Sequence, residues 1–174
     1  MMAYVCIASR VLIGTIFAVS LTTRLLRENG WSEFTDSVRG LAPRLPARTA
    51  AVVVCVAETS VVSLVVTARS AVYGLAGAML LLLCFTVALV VALRRRRGVS
   101  CGCFGTSTTP VSGFTVARNC LLAAGALAGI IAHPDSTGAT PAWPGSLTAV
   151  AVGAVAATLA YLTDELADLF RVRT

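Results

Sequence analysis

VYGLAGAMLLLLCFTVALVVAL, residues 72 to 93, decides the fold, because it carries no charge and ends directly against Arg94, Arg95, Arg96 and Arg97. A helix rising about 1.5 Å per residue crosses a hydrocarbon core about 30 Å thick with a run of this length. The four arginines hold its end at the head groups. Four more stretches read the same way: Tyr4 to Leu21, Thr49 to Thr67, Thr115 to Ala132 and Ser146 to Leu162. The chain is therefore expected to be an all-α polytopic helix bundle of about five transmembrane helices, a single domain over residues 1–174 in the cell membrane. Its composition agrees: 57% of residues are hydrophobic and 13% charged, too apolar a balance for a soluble globular domain. Spans and loops leave no room for a soluble catalytic domain, so any chemistry must come from loop or intramembrane residues.

The net charge of +6 is carried by arginine, with no lysine in the chain. In a soluble protein that balance would suggest nucleic acid, but in a membrane protein it reports orientation, and no nucleic-acid partner is expected. Arg24, Arg27, Arg39, Arg44 and Arg48 fall between spans one and two, and Arg94 to Arg97 with Arg118 fall between spans three and four. Both loops are expected inside, with the N-terminus outside and the C-terminus inside. Ala18-Val19-Ser20 also resembles a signal-peptide cleavage site. Against that reading, only Arg10 precedes the apolar run and the next span follows too soon.

Between spans one and two, Trp31, Phe34, Val38, Leu41 and Leu45 recur at spacings near three and four among charges, which predicts a short amphipathic helix on the membrane surface. Gly125 with Gly129, and Gly74 with Ala78, form small-residue seams suited to internal helix packing. Trp143, between Pro141 and Pro144, reads as an interfacial anchor.

Reactive chemistry is plainest at Cys101-Gly102-Cys103-Phe104-Gly105, in a polar loop between two spans. Neighbouring arginines and a nearby helix N-terminus would stabilise a thiolate, the reactive form. A disulfide across one residue needs a sharp bend to bring the Cα atoms to about 5.5–6 Å, and Gly102 makes that bend accessible. Such a small ring should be strained and easily reduced, which suits thiol exchange. The alternatives are two inert interfacial cysteines, or a metal site, for which two thiolates give only half a tetrahedral shell. No metal is expected, since His133 belongs to the opposite, outer loop. Cys6, Cys55, Cys84 and Cys120 lie in or at the ends of spans, where cysteine packs as a small hydrophobe, with Cys120 a candidate resolving thiol.

Glu58 is the acidic residue deep in a span, where a charge costs about 2.5–3.5 kcal/mol on insertion scales. It should be neutral or paired, and Arg10 of the first span is the expected partner. Such a pair could handle protons or contact a quinone, the one cofactor the sequence suggests, or be purely structural. Arg118 and Asn119 open span four close to the thiols. They could orient the loop and favour a thiolate, or anchor the helix at the interface.

An intramembrane glutamate in span two, the run Cys101-Gly102-Cys103-Phe104-Gly105 and the following Arg118-Asn119 together resemble the methylamine utilisation MauE family, related to DoxX-like membrane proteins. The resemblance implies a thiol–disulfide role in maturing the disulfide-rich small subunit of methylamine dehydrogenase, an exported client, beside a thioredoxin-like partner. The protein would then be a thiol–disulfide oxidoreductase or the membrane partner of one. Two rivals stand beside this reading: a non-enzymatic membrane scaffold of an oxidoreductase complex, and a small transporter using Glu58 and Arg10.

Overall fold

In lipid, a backbone has no water to bond, so an apolar run must satisfy its own N–H and C=O groups and becomes a helix. A computed structural model describes residues 2–41, 45–94, 113–136 and 143–171, with the side chains of 68, 114, 134–136, 143 and 160–171 outside the description. Six helices follow in order: α1 (Met2–Leu26), α2 (Gly30–Leu41), α3 (Ala47–Val66), α4 (Ala71–Arg94), α5 (Gly113–Ser136) and α6 (Trp143–Arg171). No strand occurs among the described residues. Hydroxyls inside the spans bond back to the preceding turn, as Thr59 Oγ1 does to Cys55 O and Thr86 Oγ1 to Leu82 O, so they cost little in lipid.

α1, α3, α4 and α5 are each long and apolar enough to cross a membrane. The fifth expected span lies on α6, whose apolar stretch Pro144–Leu159 is shorter within the described side chains. The bundle is a multi-pass membrane fold with α1 at its centre, packed against α3, α5 and α6. Ile13 and Phe17 of α1 meet Val61 and Val65 of α3, Leu75 and Leu82 of α4, and Leu122 and Ala126 of α5 in one core. Because lipid is as apolar as these side chains, close packing rather than water exclusion must hold the helices together.

The glycine seams supply that packing. A Cβ on Gly129 would stand 2.6 Å from Ser9 Cβ and 2.9 Å from Leu75 Cδ1, so α5 touches α1 and α4 only because the side chain is missing. Gly129→Val is expected to cost about 1–3 kcal/mol by overpacking. A lowered thermal midpoint in detergent, with Gly113→Ala, which meets nothing within 4 Å, as the silent control, would check it.

The amphipathic segment does form a helix, α2, and it is docked rather than merely laid on a surface. Asn29 takes a left-handed conformation at φ 67, and Gly30 packs on the carbonyl oxygens of Thr23 and Arg24 where a Cβ would come within 2.8 Å. This tight turn folds α2 back over the end of α1. Its exposed ion pairs, Arg39 with Asp36 and Arg27 with Glu33, are worth about 0.2–1 kcal/mol each. Burying Phe34 contributes more, about 1.5–3 kcal/mol.

Three expectations are corrected. α1 continues a turn beyond Leu21, so Arg24 lies inside the bundle and not in a loop. Arg118 is buried rather than anchored at the interface. His133 belongs to the helix α5 and not to an outer loop, because that helix runs on to Ser136.

Candidate functional site

The buried face of α1 repeats Cys6, Ser9, Ile13, Phe17, Ser20 and Arg24 at steps of three and four. That stripe aims Arg24 into the bundle, although two residues later the helix ends. Arg24 is 3% exposed and Glu58 1% exposed. Arg24 Nη1 donates to Glu58 Oε2 at 2.6 Å. The Phe34 ring of α2 covers the guanidinium, 3.9 Å from its carbon to the ring centroid, a cation–π contact worth about 2 kcal/mol when desolvated. Three helices thus close on one ion pair.

Glu58 is therefore paired, as a buried carboxylate requires, but its partner is Arg24 and not Arg10. Arg10 lies 14 residues, about four helical turns, before Arg24 on α1, far from the level at which Glu58 is held. There it donates from Nε to Val65 O at 2.9 Å and from Nη2 to Val66 O at 2.7 Å, satisfying the last carbonyls of α3. The antiparallel run of α1 and α3 separates the two residues. A transporter built on a Glu58–Arg10 pair has no such pair to use.

Cys55 stands three residues before Glu58 on α3, half-buried and within reach of both Arg24 and Glu58. It shares the field of the ion pair and is the described thiol nearest to it in sequence. Cys6 is buried, whereas Cys84 and Cys120 face outward from the bundle.

Arg118 is 7% exposed and Asn119 1% exposed, on the second turn of α5. Gly125 of α5 abuts Leu12 of α1 and Gly129 abuts Ser9. This register puts Arg118 level with Ser20, itself buried within a turn of Arg24. Asn119 Oδ1 is buried and accepts no hydrogen bond among the described residues. Leu41 at the end of α2, Leu89 and Leu93 at the end of α4, and Val116 at the start of α5 pack together just beyond. Two buried guanidiniums, one carboxylate and one unengaged amide oxygen thus gather toward the end of the bundle where α4 stops and α5 begins.

Cys101 and Cys103, with the rest of 95–112, lie outside the described residues, as does the side chain of Trp143. Their flanks, Arg94 and Gly113, belong to the same end of the bundle as α2. Of the residues read from sequence, the structure brings Glu58, Arg118 and Asn119 to this half and leaves Arg10 at the other. The residue that sequence reasoning missed is Arg24. Its signal was present in the three-and-four stripe, which runs past the last uncharged residue of the span.

No solved structure matches the chain. Over 167 residues it is 37% identical to the methylamine utilization protein MauE of Paracoccus denitrificans, an alignment covering 91% of this chain and 84% of that protein. The family model described as methylamine utilisation protein MauE matches residues 2–132, which include α1 to α4, nearly all of α5 and the cysteine run. By both measures, this polytopic membrane protein belongs to the MauE family.

Proposed function

We propose that the protein serves methylamine utilisation as a membrane thiol–disulfide exchanger, with Cys101 and Cys103 cycling between dithiol and disulfide. Family membership supports the methylamine part. The observation that carries the thiol part is that Arg24, Glu58, Arg118 and Asn119 are all buried in the half of the bundle that the cysteine segment joins. Buried guanidiniums at that end favour a thiolate nearby, and Asn119 Oδ1 offers an acceptor to a thiol or a backbone N–H. Arg118 and Asn119 act here as positioning residues.

In the exchange, a client thiolate attacks one sulfur of the Cys101–Cys103 disulfide and forms a mixed disulfide. The client's second thiolate then displaces it. The client gains a disulfide, and its two electrons, with two protons, reduce Cys101 and Cys103 to the dithiol. A thioredoxin-like partner in its disulfide form takes those electrons and restores the ring. The client by family resemblance is the small subunit of methylamine dehydrogenase. The arginine distribution puts the thiols inside while that client is exported, so electrons are relayed across the membrane, the orientation is inverted, or the role differs.

A membrane-impermeant maleimide, applied to intact cells and to inverted vesicles with and without prior reduction, tests side and redox state together. Labelling of Cys101 and Cys103 is expected only after reduction, in one of the two preparations. Free thiols that stay free under an oxidising challenge would turn the assignment toward a scaffold.

A further inference from the structure

The described carboxylates are Glu28, Glu33 and Asp36 around α2, and Glu58, which is engaged by Arg24. All four lie toward the opposite end of α1 from Arg10. Arg10 therefore carries its charge with no carboxylate in ion-pair range among the described residues. Its two hydrogen bonds to Val65 O and Val66 O fix the guanidinium plane. Of five N–H donors on an arginine, the others remain for a further acceptor.

That guanidinium lines a groove of about 380 Å³ between α1 and α3, whose other walls include Val11, Gly14, Thr15, Val65 and Val66. The walls are overwhelmingly apolar, so the charge is the groove's one strong polar feature. Depth fixes what can fill it. α3 has 20 residues, a length of about 30 Å that matches the hydrocarbon core. Its last residue, Val66, then lies at the hydrocarbon boundary, and Arg10, bonded to Val66 O, lies with it. Gly14 and Thr15 sit one turn deeper, in the acyl region. A fixed cation at head-group depth, with an apolar channel running inward from it, is complementary to an amphiphile with an anionic head and an apolar tail.

We propose that this groove binds an anionic phospholipid, its phosphate on the Arg10 guanidinium and one acyl chain laid along Gly14 and Val65. The lipid belongs to the leaflet opposite the α2 end, away from the polar cluster. A Cβ on Gly14 would be 3.7 Å from Val65 Cγ1, ordinary contact distance. The missing side chain is thus not needed for α1 to meet α3, and what it leaves open is groove.

The test uses the full chain in nanodiscs of equal phosphatidylglycerol and phosphatidylcholine, extracted gently and read by native mass spectrometry. Retained phosphatidylglycerol is expected at about a fivefold preference over phosphatidylcholine, the factor that one arginine at the head groups provides. Arg10→Gln should abolish the preference. Gly14→Leu, which fills the channel and leaves Arg10 in place, should lower total retained lipid with an unchanged thermal midpoint. Should Arg10→Gln lose the cap on α3 and misfold, Gly14→Leu decides alone. Equal retention in wild type and Gly14→Leu, no preference for phosphatidylglycerol, or an isoprenoid quinone retained in its place each overturns the proposal.

Discussion

Glu58→Ala is expected to destabilise the protein by about 3–5 kcal/mol, because it strands the Arg24 guanidinium in the bundle with its charge uncompensated. Arg24 is 3% exposed, sealed by Phe34 on one side and α3 on the other. Its charge cannot be discharged, since a guanidinium stays protonated at any accessible pH. Arg24→Met should cost less, because a carboxyl left alone can take up a proton. The double variant Glu58→Met, Arg24→Met should recover most of the loss or exceed wild type, since an apolar pair of similar volume removes the desolvation cost. Trp31, whose ring lies 6.4 Å from that of Phe34, gives a fluorescence signal for the docking of α2 during denaturant titration. Equal stability of all three variants and wild type would show that the pair is a bystander. Growth of the double variant on methylamine separates roles: recovered stability with lost growth assigns the pair a part in the chemistry.

Complete loss of growth on methylamine, with normal membrane abundance, is the expected result for Cys101→Ser, Cys103→Ser. Serine cannot form a disulfide, so the proposed exchange would have no electron carrier. One of the single variants should accumulate a mixed disulfide visible on non-reducing gels, because the thiol that resolves it has been removed. Unimpaired growth of the double-serine variant would sink the thiol reading and favour the scaffold. If Glu58→Gln abolishes growth while the double-serine variant grows, the intramembrane carboxylate carries the function instead.

Much of the site was legible in one dimension and some of it was not. Glu58 announced itself because a carboxylate in an apolar run has few stable options. Its partner did not, since span length alone put Arg24 in a loop and left Arg10 as the nearest cation inside a span. The difference is one turn of α1, and sequence hydropathy locates a helix end no better than that. Arg118 and Asn119 were found by their nearness to the cysteines, yet a basic residue at a span's start reads equally as an anchor. Only the face of α5 on which they fall turns them inward.

The sequence by itself determined that the chain folds as membrane helices, since uncharged runs of this length have no other way to satisfy their backbone in lipid. It also determined where the thiols and the buried acid stand along the chain, and that glycines would line the helix contacts. What only the tertiary structure decided is which cation neutralises Glu58, that α2 seals that pair with Phe34, and that Arg10 is left to cap α3 beside an open groove. Those are matters of helix rotation and antiparallel register. A rotation of 100° per residue makes neighbours in sequence face apart, and brings Arg24 to a carboxylate 34 residues away.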